Sequence, residues 1–216
     1  MHLFFDLDGT LTDPFEGITK SIQHALSALG RPVPPAEELR WCIGPPLKKG
    51  FEKLLGEDRA GLADTAVAKY REHFSAVGLF ENRVYAGIPS LLEDLAKKGH
   101  ALRVATSKPR VFAVRIIEHF GLQHFFVSID GSELDGTRSD KGALLRYVLE
   151  RDKIAVSQAL MVGDREHDVL GARENGLNAV GVLWGYGSSE ELLKAGALGC
   201  VKTPVELGQR IEELVC

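Results

Sequence analysis

The sequence predicts an α/β fold, a parallel sheet covered by helices on both faces, with a helical domain inserted near its start. Three observations carry this. From Gly87 onward, short apolar runs of strand length alternate with stretches of helical periodicity. A similar apolar run, Leu3 to Leu7, opens the chain. Between them, from Phe15 to about Phe80, no strand signal occurs.

The opening run passes directly into Asp8-Gly9-Thr10 and reads as a buried strand ending in a turn. In the insert, Phe15, Ile18, Ile22, Leu26 and Leu29 recur at the steps that line one face of a helix. Gly30, Pro32, Pro34 and Pro35 end that helix, and Gly44-Pro45-Pro46 and Gly56 divide the remainder into further helices. This sets a helical cap at residues 15–82 and a core at 1–14 and 83–216. After Gly87-Ile88-Pro89 the expected order is helix to about Lys98, strand Leu102 to Thr106, helix Pro109 to about Phe120 and strand Phe125 to Ile129. A helix from about Lys141 to Arg151, strand Leu160 to Val162, a helix from about Glu166 to Asn175 and strand Ala179 to Leu183 complete it. Strands that alternate with helices run parallel, because each helix carries the chain back across the sheet.

Composition bounds the function. The 216 residues are 44% hydrophobic and 26% charged with a net charge of −4, so the basic surplus that a nucleic-acid polymer demands is missing. The three cysteines, Cys42, Cys200 and Cys216, are far apart and have neither disulfide-frame nor zinc spacing. Asp6 and Asp8 interrupt the first apolar stretch, which excludes it as a signal core or membrane span. A cytoplasmic protein is expected, acting on a small molecule and not at a membrane. Its oligomeric state is not legible.

Four polar clusters stand at four strand ends, where parallel sheets gather their chemistry. At the first, Asp6 and Asp8 point to the same side by strand alternation. They read either as a turn cap beside Gly9 or as two carboxylates in one site, which need a cation or a proton when buried. At the second, Thr106-Ser107-Lys108-Pro109 offers hydroxyls and amides for an anion, with Ser107 also readable as a helix N-cap. Lys141, ahead of a helix, is either solvated or a compact cation for phosphate and carboxylate charge. Asp164 and Asp168 follow the fourth strand, four residues apart, and share a helix face if the turn begins at Asp164. Taken together, carboxylates from two strands, a hydroxyl and a lysine suit magnesium and phosphate. His167 falls on the wrong step for a metal pair and reads as surface.

Asp6-Leu7-Asp8-Gly9-Thr10, Thr106-Ser107-Lys108-Pro109, Lys141 and Gly163-Asp164 to Asp168, in this order, resemble the four motifs of the haloacid dehalogenase superfamily. The insert is similar to its small helical cap. Ile43-Gly44-Pro45-Pro46-Leu47 and Thr106-Ser107-Lys108-Pro109 look most like its phosphoglycolate phosphatase group, including relatives described as 5'-nucleotidases. Gly142 stands where that group commonly has proline after the lysine, and Ser107 where asparagine is common.

The resemblance implies a Rossmann-like sheet ordered 5-4-1-2-3 and a phosphatase. It implies Asp6 as nucleophile, Asp8 as acid and base, and Thr106, Ser107 and Lys141 on the phosphate. Mg2+ would be held by Asp6, the backbone carbonyl of Asp8, and Asp164, with Asp168 in support. The expected substrate is a small phosphate ester, phosphoglycolate or a nucleoside 5'-monophosphate. A phosphomutase with the same core is the alternative reading. A phospho-accepting receiver module is more distant, since its acceptor aspartate lies on an internal strand. Dehalogenase chemistry has no use for the acid at Asp8 or for magnesium.

Overall fold

The central strand is apolar along its length because it is covered on both faces. In this computed structural model, which describes residues 1–56 and 61–215, Leu3, Phe4 and Phe5 of β1 (His2–Phe5) are fully buried. The described residues fall into two units, one made of Met1–Asp13 and the chain from Val84 on, the other of Pro14–Arg83.

After β1 come a two-residue strand, β2 (Thr12–Asp13), and then the second unit. Its helices are α1 (Phe15–Ala28), α2 (Leu47–Leu55) and α3 (Ala63–His73), with a 3-10 turn at Ala36–Cys42 and a π turn at Phe74–Gly78. Ile18, Ile22 and Leu26 of α1 are buried, as their spacing requires. A Cβ on Gly17 would lie 1.9 Å from the Gly78 carbonyl oxygen, so this helix can meet the π turn only through glycine.

The chain returns through β3 (Arg83–Val84) to α4 (Ile88–Lys97), β4 (Ala101–Pro109), α5 (Arg110–His119) and β5 (Phe126–Ser132). Next are α6 (Lys141–Asp152), β6 (Ala159–Gly163), α7 (Glu166–Glu174) and β7 (Asn178–Val182). Last come α8 (Ser189–Ala195), β8 (Cys200–Val201) and α9 (Pro204–Val215). The six-stranded parallel sheet has the order β5-β4-β1-β6-β7-β8. This is the expected five-strand order with β8 added at one edge, a strand too short to show any periodicity in sequence. The order reverses at β1, whose neighbours are β4 and β6, and open α/β sheets bind ligands at the carboxyl side of such a switch.

Two further differences from expectation bear on function. β4 runs through Pro109, so Ser107 is not a helix N-cap; Pro109 occupies that position and α5 begins at Arg110. β4 also bulges: Thr106 pairs with Gly131 but Pro109 with Ser132, leaving Ser107 and Lys108 without counterparts on β5. Gly131 permits this, because a Cβ there would lie 2.5 Å from the Lys108 carbonyl oxygen.

Phe4, Met161, Leu144, Val148 and Val169 share one core cluster. Phe4→Ala should cost about 3–5 kcal/mol, the usual loss for a fully buried aromatic truncated to alanine. Chemical denaturation of the two proteins measures it. No helix among the described residues is long and apolar enough to cross a membrane. Cys42 and Cys200 are free thiols; Cys216 lies outside the described residues.

Candidate active site

Register brings the strand ends together. Phe5 pairs with Val104 on one side and with Val162 on the other, and the Asp6 amide continues the ladder by donating to the Val162 carbonyl at 2.9 Å. Asp6 therefore stands at the level of Ala105 and Gly163. Beyond it the chain turns sharply: the amides of Thr10, Leu11 and Thr12 all donate to the Leu7 carbonyl, and Gly9 takes φ +86°. A Cβ on Gly9 would lie 2.2 Å from Asp164 Oδ2, so glycine is needed here for its conformation and for the approach of a carboxylate.

Asp164 follows β6 in a bend, and α7 begins only at Glu166. Asp164 and Asp168 nevertheless converge, without sharing the helical turn their spacing suggested. Asp168 reaches back from the first turn of α7, its Oδ2 accepting from the Arg165 amide at 3.1 Å. Gly163 leaves room for it, since a Cβ there would meet Asp168 Oδ2 at 2.2 Å. Carboxylate oxygens of Asp6, Asp164 and Asp168 lie within 4.8 Å of one another, and all three residues are buried.

Lys141 opens α6, whose N-terminus is capped by Asp140 accepting from the Ala143 amide at 2.9 Å. Its Nζ is 2.8 Å from both Asp6 Oδ1 and Asp168 Oδ1, and it donates to the Ala105 carbonyl at 2.7 Å. Thr106 is buried, its Oγ1 accepting from the Lys108 amide at 3.3 Å. Ser107 is half-buried; its carbonyl accepts from Ser132 Oγ, and its hydroxyl bonds none of the other candidate residues among those described.

Asp8 is not one of the three converging carboxylates. Its Oδ2 forms a 2.9 Å ion pair with Lys108 Nζ, while its buried Oδ1 has no hydrogen-bond partner among the described residues. Burial raises the Asp8 carboxyl above the usual aspartate range, the charge of Lys108 opposes this, and Asp6 adds to it. Burial likewise pushes Asp164 well up, reinforced by the charges of Asp168 and Asp6, and Asp168 up to about 6. Burial works against the Lys141 ammonium, but Asp168 and Asp6 outweigh it and hold Lys141 above the ordinary lysine value.

Two ammonium groups thus face four buried carboxylates, and Asp164 has neither for a partner. An oxygen-only donor set carrying surplus negative charge fits a hard divalent cation such as magnesium.

Lys108 was legible as part of its motif, but its role was not, because the bulge that places it beside Asp8 depends on a glycine of the next strand. Thr10, whose Oγ1 lies 3.4 Å from Asp164 Oδ1, and the loop Trp184 to Gly187 were also missed. An aromatic between glycines just past a strand end was the available signal. His167 is half-buried, not a surface residue, and burial lowers its pKa.

A Rossmann-like sheet with an acid cluster and a lysine at its switch point defines a hydrolase class, and the known proteins agree. Residues 3–182 match the family model for haloacid dehalogenase-like hydrolases. A 5'-nucleotidase of Pseudomonas aeruginosa is 52% identical over 191 residues, covering 88% of this chain and 86% of that protein. The tyrosine-protein kinase PtkA of Mycobacterium tuberculosis is 41% identical over 87% of this chain, which spans 64% of that protein. The crystal structure of a predicted phosphatase from Clostridium acetobutylicum superposes with a TM-score of 0.93 at 46% identity, covering 98% of both chains. The chain belongs to the haloacid dehalogenase-like hydrolase family. Within it, it is a phosphatase, a phosphoric monoester hydrolase.

Proposed function

We propose that this phosphatase is magnesium-dependent and hydrolyses a small phosphorylated metabolite, a nucleoside 5'-monophosphate or phosphoglycolate, through an aspartyl-phosphate on Asp6. The observation that carries the reading is the convergence of Asp6, Asp164 and Asp168 around one point, with Lys141 bridging two of them. Asp6, Asp164 and Asp168 would hold the cation, joined by the Asp8 carbonyl. Bound there, magnesium would supply charge neutralisation on the phosphate and Lewis-acid polarisation of phosphorus.

A carboxylate oxygen of Asp6 attacks phosphorus, and the bond from phosphorus to the ester oxygen breaks. Asp8 gives its proton to that oxygen as it leaves. Its Oδ1, which has no protein partner among the described residues, is the oxygen suited to carry this proton. Asp8, now a carboxylate, takes a proton from water; the water oxygen attacks phosphorus, and Asp6 is released with inorganic phosphate. Lys141 and the Thr106 hydroxyl meet the charge on the phosphoryl oxygens, and the Lys141 ammonium, donating to Asp6 Oδ1, keeps that carboxylate aimed. The helical unit at 15–82 is read as a cap that excludes water and selects the leaving group.

The similarity to a 5'-nucleotidase supports nucleoside 5'-monophosphates as substrates, and the cap motif Ile43 to Leu47 supports phosphoglycolate beside them. Likeness to a protein named as a kinase, and the phosphomutase alternative, make the acceptor the point to test. The test is a phosphate-release screen of small phosphorylated metabolites with magnesium and with excess chelator. Multiple turnovers of inorganic phosphate that stop on chelation are expected. Activity surviving full chelation, or label passing to another hydroxyl without phosphate release, would contradict the proposal.

A further inference from the structure

The loop after β7 belongs to none of the four motifs, yet it lies against the acid cluster along its length. Trp184 Nε1 donates to the Thr10 carbonyl at 3.0 Å, and the Tyr186 amide donates to Asp164 Oδ2 at 2.7 Å. A Cβ on Gly185 would sit 2.3 Å from the Gly9 carbonyl oxygen and 2.4 Å from Asp164 Oδ2; one on Gly187 would sit 1.9 Å from the Asp164 carbonyl oxygen. The two glycines therefore exist for contact with Asp164, on its side chain and on its main chain. The loop is tied down at its aromatic residue: the Tyr186 hydroxyl donates to Asp13 Oδ1 and is hydrogen-bonded with Tyr85. Tyr85 is itself anchored, its amide donating to the Leu11 carbonyl at 3.1 Å.

We propose that Trp184 to Gly187 form a clamp on Asp164, in which Tyr186 is a positioning residue: its tie to Asp13 holds the loop amide on Oδ2 and thereby sets the affinity of the site for a divalent cation. This rests on the reading of Asp6, Asp164 and Asp168 as a magnesium site. A buried carboxylate with Oδ2 held by the Tyr186 amide and Oδ1 within 3.4 Å of the Thr10 hydroxyl is restrained in its rotamer before any cation arrives. Once the tie is cut, the loop can withdraw, and cation binding must then pay for ordering both loop and carboxylate. Partners of this kind, outside the ligands themselves, typically govern metal affinity by about 10–100-fold.

The test is calorimetric titration of Mg2+ into the metal-stripped full chain, with the melting temperature of each metal-free protein as a control on folding. Tyr186→Phe removes the hydroxyl and keeps ring and backbone; it should raise the Kd for Mg2+ about 10-fold. Asp13→Ala should also weaken binding, and the double variant should be no weaker than Tyr186→Phe alone, which has already lost the tie to Asp13. Gly185→Ala, which forces a Cβ against Asp164, should lose about 100-fold. Should that variant not fold, Tyr186→Phe decides alone. A wild-type chain that binds Mg2+ and a Tyr186→Phe variant that binds it equally well would overturn the clamp and leave the magnesium site standing. A wild-type chain that takes up no Mg2+ would overturn both.

Discussion

Asp6→Asn is expected to lower phosphate release by at least about 10⁴-fold, because an amide is a poor nucleophile. The change is nearly isosteric, so strand β1 and its pairing should persist. What the site loses is a negative charge and one carboxylate oxygen, which leaves Lys141 ion-paired with Asp168 but not with residue 6. Steady-state assay of inorganic phosphate, with circular dichroism to confirm folding, measures the effect. Turnover at the wild-type rate would remove Asp6 from its role.

Asp8→Asn should cost about 10²–10⁴-fold, the span typical of a positioned acid or base. The loss should depend on the leaving group, since an alkoxide needs a proton and an activated phenolate hardly does. With an aryl phosphate the first transfer should therefore be nearly normal in the variant. Its second step, which needs Asp8 to take a proton from water, should be slow, and phosphoenzyme should accumulate. Rapid-quench measurement of both steps with an alkyl and an aryl ester separates these effects. Undiminished rates of both steps would exclude Asp8 as the proton carrier. The Asp8–Lys108 ion pair adds a constraint on the resting state: Lys108 offsets part of the cost of burying that carboxyl and fixes one of its oxygens.

The sheet was legible because its strands are short apolar runs between helical stretches, and parallel pairing follows from that alternation. The candidate site was legible because its parts stand at strand ends or helix starts: Asp6 and Asp8 after β1, Thr106 late in β4, Lys141 at the start of α6, Asp164 after β6 and Asp168 in the first turn of α7. Features built on two-residue or tertiary geometry were not. β8 is too short to show a period, and it forms by pairing Cys200 and Val201 with Gly181 and Val182. The extension of β4 through Pro109 depends on Gly131, which lies across the sheet and lets Lys108 bulge toward Asp8. The clamp on Asp164 depends on Gly185 and Gly187, whose importance lies in what a side chain would strike and not in any pattern along the chain. Asp164 and Asp168 come together through a bend followed by the first turn of α7, and not through the one helical face their spacing suggested.

The covalent step tests the account most directly. The metal-loaded enzyme, mixed with a phosphorus-labelled nucleoside 5'-monophosphate and quenched in acid within its first turnover, should carry label on the peptide containing Asp6. That label should disappear as phosphate is released, and it should be absent from Asp6→Asn. Turnover without labelled enzyme, or label on any residue other than Asp6, would contradict it.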